Sequence, residues 1–167
     1  FIVGVTGFEY LELVTLSYQE QIYLWIAFFL SFAFKIPLFP FHIWLPEAHV
    51  EAPTVGSVIL AGILLKLGVY GFIRFSLVFC MDASFYFLPL IALLSILGAI
   101  YGSFVAIRQT DLKRIIAYSS VAHMNLVLLG LCSFTYVGIS GALLQSLSHG
   151  FVSAALFFLI GILYNRD

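Results

Sequence analysis

Four side chains in this sequence have the chemistry needed to carry a proton inside a membrane: Lys66, His123 and His149, and Lys35, whose position the spacing leaves open. Lys66 stands inside the run from Ser57 to Ile73, with apolar neighbours on every helical face. Near the centre of a bilayer a lysine costs roughly 2.5–3.5 kcal/mol, so an ionisable group kept there calls for a function. His149 lies in a stretch that turns polar around it, with Gln145, Ser146, Ser148 and Ser153. His123 and Asn125 share another stretch, with Ser119 and Ser120 one turn nearer a basic linker. Lysine and histidine can both exchange a proton in a buried setting, whereas arginine stays charged. A row of Lys and His at one depth, with hydroxyls and an Asn able to hold water between them, fits a lateral proton relay.

Each residue alone also has a plainer reading. A single buried histidine commonly just hydrogen-bonds a neighbouring helix, and Ser and Gly commonly serve as small-residue helix contacts. Neither an HxxH pair nor paired carboxylates occur at mid-depth, so no metal or haem site is expected. The sequence has no Gly-rich phosphate loop, nucleophile elbow or Rossmann fingerprint, so bond-making chemistry is not expected. Cys80 and Cys132 close apolar runs without forming a CxxC pair and read as apolar helix-end residues. No carboxylate accompanies Lys35 or Lys66 at mid-depth. An unpaired buried ammonium is strongly destabilised, so the partners are expected on segments outside these 167 residues.

The elements that must position these groups follow from composition. The chain is 63% hydrophobic and 9% charged, against roughly 25% charged in soluble domains. That leaves too little polar surface for a water-soluble globule and indicates an integral membrane protein. A formal net charge of -1 excludes a polycationic nucleic-acid surface. A helix needs about 20 apolar residues to cross ~30 Å of hydrocarbon. Such runs occur at about 21–41, 56–79, 85–107, 115–131 and 137–164, too long and too uniformly apolar for barrel strands. The expected fold is therefore all-α, a polytopic bundle of about five spans. Lys66 and His149 fall about ten to twelve residues into their runs, near the midplane. Residues 1–20, with Glu9, Glu12 and Glu20 among aromatics, read as an interfacial loop or the tail of an earlier helix.

The first run is not a clean helix. Lys35 is followed by Pro37, Pro40 and Pro46, and a proline inside a helix costs ~3 kcal/mol or more. Broken helices beside ionisable residues build ion sites in many transporters. The same spacing fits, equally well, an interfacial Lys35 followed by a loop. Arg108, Lys113 and Arg114 make 108–114 the most basic linker, while 81–84 and 132–136 hold no Lys or Arg. The positive-inside rule then places 108–114, 164–167 and the His49 region on the inner side and 1–20 outside. The sequence opens on Phe1 with neither a basic leader nor an A-x-A-like site, and is expected to be an internal piece or a processed product.

The stretch Phe34-Lys35-Ile36-Pro37, running into Phe41-His42-Ile43-Trp44-Leu45-Pro46-Glu47-Ala48-His49-Val50-Glu51-Ala52-Pro53-Thr54, resembles the antiporter-like membrane subunits of respiratory complex I. So do Leu60-Ala61-Gly62-Ile63-Leu64-Leu65-Lys66-Leu67-Gly68 and the run from Gln109 to Met124 through Ala117-Tyr118-Ser119-Ser120. The resemblance covers about Gln21 to Asp167. The form His-Val-Glu-Ala-Pro-Thr and the abundance of Phe look mitochondrial, which implies a multi-pass protein of the mitochondrial inner membrane.

By that resemblance, Lys35 matches the lysine of the family's seventh, broken helix, which pairs with a glutamate on the fifth; this implies a buried site. Lys66 matches the connecting lysine of the eighth helix, His123 the histidine of the tenth and His149 that of the eleventh. The implied activity is proton translocation coupled to electron transfer from NADH to ubiquinone. NADH, FMN, iron–sulfur clusters and ubiquinone would be bound by other subunits, with at most structural lipids here. The implied partners are other membrane-arm subunits, including neighbouring antiporter-like ones, a separate chain supplying missing helices, and the lipid bilayer. The departure is one of extent. The fifth-helix glutamate and the twelfth-helix ionisable residue have no counterpart in this sequence. A multisubunit cation/proton antiporter of the sodium type, or a structural piece that transports nothing, remain the alternatives.

Overall fold

The structure, a computed structural model, describes residues 16–164. Among the described residues six helices follow one another: α1 (Tyr18–Lys35), α2 (Trp44–Glu51), α3 (Thr54–Phe79), α4 (Met81–Arg108), α5 (Leu112–Leu131) and α6 (Tyr136–Tyr164). Among the described residues, α3 to α6 are each long and apolar enough to cross a membrane. The fold is an all-α bundle, and most of the loop expected at 1–20 lies outside the described residues, as does Arg166.

The first run differs from its expected bounds. Its helix starts at Tyr18, where the Glu20 carboxylate accepts hydrogen bonds from the Ser17 amide (2.9 Å) and hydroxyl (2.7 Å). It stops at Lys35 rather than 41, because the prolines at 37 and 40 remove two amide donors. Leu38 N–H reaches back to Ala33 O (2.9 Å) instead of Phe34 O, and the 39–40 peptide is cis. Trp44 Nε1–H donates to the Phe34 carbonyl left over (3.0 Å). The chain turns through 36–43 before α2 begins, and Pro46 sits in the first turn of α2, where a missing amide costs nothing.

The core forms between α1, α3, α4 and α5. Trp25 stacks on Phe29 (4.7 Å between centroids) and on Phe87 (4.3 Å). Its indole N–H donates to Ser84 Oγ (3.0 Å), which donates in turn to the Ser76 carbonyl (2.9 Å). Packing of this kind, with small residues admitting close backbones, is what holds helices together where lipid offers no hydrophobic contrast. On α4, Gly102 lies against the α5 backbone at Ala122, where a Cβ would come within 3.1 Å of the amide nitrogen. The outer faces of α4 and α6 are lined with exposed Leu, Ile and Phe, as lipid-facing or partner-facing helices require.

The linkers sort to two ends. At one, Lys113 Nζ donates to the Ala52 carbonyl (3.3 Å) and stands 5.7 Å over the Tyr164 ring, and Arg114 lies 3.6 Å from Glu47. At the other, Gln21 Nε2 donates to Asp82 (3.3 Å) and Phe85 stacks on Phe134. The basic linker, the His49 region and the end of α6 thus share one end, as their charges predict.

Candidate functional site

Two local features of α3 place Lys66. The turn Leu60–Leu64 is a π-turn, in which Leu65 N–H bonds to Leu60 O rather than to Ala61 O. The Ala61 carbonyl instead accepts a hydrogen bond from the Lys66 ammonium, five residues on. Turns of this kind are rare and recur at functional sites. The second feature is a glycine contact: α6 crosses α3 with Gly150 against Gly62, and a Cβ at 150 would meet Gly62 O at 3.1 Å and Lys66 Cε at 3.2 Å. This close approach brings Lys66 Nζ to 3.0 Å from His149 Nδ1.

From His149 the row continues to α5. The rings of His149 and His123 lie 5.7 Å apart, and Gln145 Nε2 reaches His123 Nδ1 at 3.3 Å. His149 is buried, His123 exposed and Lys66 between the two. Since an ammonium only donates, Nδ1 of His149 accepts, and its proton sits on Nε2. That Nε2 is buried with no hydrogen-bond partner among the described residues. Two clefts lie at this contact, one lined by His149 and the other by Lys66. The first, ≈ 180 Å³, is the more polar and is lined by Ser119, His123, Gln145, Ser148 and His149 together with Ile116, Val152 and Leu156. The other, ≈ 320 Å³, is apolar, is bordered by Gly62, Phe151 and Ala154, and has Lys66 at its edge.

The structure therefore gathers six of the residues singled out from sequence: Lys66, His123, His149, Ser119, Gln145 and Ser148. It leaves the others elsewhere. Ser120 is buried and returns its hydroxyl to Ile116 O (3.1 Å). Asn125 does not face the row; it donates to Pro37 O (3.2 Å) and Val121 O (2.8 Å). Lys35, with Pro37 and Pro40, belongs to the break. The buried setting implied for Lys35 is not found among the described residues: it is exposed, beside a ≈ 190 Å³ cavity bordered by Trp44, Leu60 and Leu64. Among the described residues no carboxylate lies in ion-pair reach of it.

Sequence reasoning missed the π-turn, whose only outward sign is the pair of small residues Ala61-Gly62 before the lysine. It also gave no role to His49. That side chain is fully buried, stacked on Phe157 (4.4 Å between centroids), with neither ring nitrogen partnered among the described residues. Burial, and secondarily the charge of Lys113, pulls it down to about 4. His49 is therefore neutral at physiological pH. Among the described residues no group of three or more His, Cys, Asp or Glu is placed to hold a metal.

A bundle with four helices of membrane-crossing length and apolarity among the described residues, with a lysine–histidine contact inside it, defines a polytopic membrane protein. The chain belongs to the NADH:quinone oxidoreductase/Mrp antiporter transmembrane family, which it matches over residues 1–167. It is 58% identical over 166 residues to NADH-ubiquinone oxidoreductase chain 4 of Marchantia polymorpha, covering 99% of this chain and 34% of that protein. It is 59% identical over 163 residues to the protein of the same name from Triticum aestivum, covering 98% and 33%. Among solved structures it superposes on a chain of respiratory complex I from Thermus thermophilus with bound NADH. There the TM-score is 0.90 at 34% identity, over 95% of this chain and 34% of that one. The Mrp complex from Dietzia sp. shares the fold, with a TM-score of 0.82 at 23% identity over 96% and 30%. The chain thus spans about a third of the length of these relatives.

Proposed function

We propose that the protein to which this stretch belongs is a proton-translocating, antiporter-like subunit of NADH:ubiquinone oxidoreductase in the mitochondrial inner membrane. Its assembly partners would be the other membrane-arm subunits. Redox chemistry, with NADH, FMN, iron–sulfur clusters and ubiquinone, is assigned to other subunits. The observation that carries the reading is the 3.0 Å contact between Lys66 Nζ and His149 Nδ1, continued to His123. A proton passed from the ammonium to Nδ1 releases the one on Nε2, which a bridging water delivers to His123. Rotation about single bonds and reorientation of that water reset the row. Lys35 sits on the opposite face of α3, where it would exchange its charge with a carboxylate supplied by another segment. Identity near 58% to proteins named chain 4 favours this reading over a sodium-type antiporter, whose solved relative shares only the fold.

The test is Lys66→Ala in the full-length subunit of the assembled, membrane-reconstituted complex. Protons moved per electron should fall while electron transfer in uncoupled membranes persists. Full pumping stoichiometry in the assembled variant would sink the relay and leave a structural role.

A further inference from the structure

The break that carries Lys35 exposes backbone carbonyls that an unbroken helix would satisfy. Phe34 O is taken up by Trp44, its neighbour in the same segment. Pro37 O is different, because its donor comes from a distant helix. Asn125 on α5 sends one N–H to Pro37 O (3.2 Å) and one to Val121 O (2.8 Å), and it is fully buried. Both neighbours are carbonyl oxygens, which fixes the amide with its NH2 toward them. Its Oδ1 has no partner among the described residues and lies where Gly98 of α4 has no side chain. A Cβ at 98 would run into that oxygen and the amide carbon behind it.

Asn125 stands two residues after His123, so the two side chains leave α5 on nearly opposite sides. His123 borders the polar cleft and Asn125 points to the break. One rigid helix therefore touches both the row and the segment bearing the other lysine. We infer that Asn125 is a positioning residue. It fastens the break to α5 through the Pro37 carbonyl and so sets where Lys35 stands relative to its partner, with Gly98 providing the space. The inference rests on the relay reading for its functional part, and on geometry alone for the fastening.

The test uses the assembled complex with the full-length subunit carrying Asn125→Leu, similar in size but without a donor. Two readouts are taken: hydrogen exchange of segment 36–43, and the pH profile of proton pumping. Exchange should rise on the order of tenfold, as expected when a fastened segment is freed to open locally. The pH of half-maximal pumping should move. Gly98→Ala should reproduce both effects by displacing the amide, and should add nothing in an Asn125→Ala background, where the oxygen it meets is gone. This arm keeps the inference testable if the leucine variant does not assemble. Either wild-type exchange or an unshifted pH profile in assembled Asn125→Leu overturns the inference. So does a Gly98→Ala effect that persists undiminished in the double variant. The Lys66→Ala experiment fails separately: full pumping there removes the relay, whereas exchange of 36–43 reports on the fastening regardless.

Discussion

Lys35 and Lys66 are the same residue type, 31 positions apart on α1 and α3, yet the fold treats them in opposite ways. Lys66 is completed from within the chain, by the Ala61 carbonyl one π-turn back and by His149 across a glycine contact. Lys35 stands at a helix end, exposed, with its break secured by Trp44 and Asn125 but no carboxylate within reach among the described residues. The helix around Lys66 is widened yet continuous; the one around Lys35 is interrupted. A continuous helix fixes a charge against a partner, whereas an interrupted one can shift it by local rotation. The contrast teaches that one lysine is held by partners within this stretch, whereas the other depends on what surrounds it.

The largest effect should come from Lys66→Arg. Arginine keeps the charge and the donors but does not release its proton. The complex should assemble, yet lose pumping on the order of a hundredfold at this station, measured by proton uptake in reconstituted vesicles. Normal pumping would mean that charge alone matters at Lys66 and would erase its difference from a structural cation.

Next comes Gly150→Val. Its side chain would enter space held by Gly62 O and the Lys66 stem, so α3 and α6 must separate. Overpacking of this kind costs about 1–3 kcal/mol, readable as a lower melting temperature of the solubilised complex. Pumping should fall along with it, because the Lys66–His149 contact opens, whereas hydrogen exchange at 36–43 should not change. Faster exchange there would show the two lysine regions to be mechanically one.

Acidification should act at His49. Its folded value, about 4, lies below the ordinary 6.5, so the unfolded state binds the proton more readily. The stability due to keeping it neutral is complete above 6.5 and is lost as pH falls through about 4. Melting temperature should drop over that window in the wild type, and drop less in His49→Phe, which keeps the stacking on Phe157. An identical slope in both would remove His49 as the source.

Arg114→Ala should do least. The pair with Glu47 is 3.6 Å long and substantially exposed, which puts it at about 0.2–1 kcal/mol, screened further by salt. A larger loss at high ionic strength would show that the linker end carries more of the fold than its geometry indicates.

The legibility of these parts follows the range of the forces behind them. The helices from 54 to 164 begin and end within a few residues of the apolar runs, because a long run of apolar side chains favours one continuous helix. The first helix was misjudged at its far end because the prolines announced a break without saying where the chain would resume. Lys66 and His149 were recognisable by the cost of burying them, and their common depth by counting residues at 1.5 Å each; His123, which is exposed, was recognisable only by its type and its polar neighbours. Asn125 was read into the row by depth alone, since rotation about a helix axis relative to its neighbours is not encoded in depth.

By itself, then, the sequence determined which segments enter the membrane, which polar groups they take with them, and which linkers share an end. These depend on transfer free energy and helix rise, which act residue by residue. Only the tertiary structure decided which of those groups meet. A π-turn that redirects one carbonyl, a pair of glycines that lets two helices close, and an asparagine that reaches across to a proline carbonyl are matters of packing between distant residues. Contacts of that kind have no local period from which to read them.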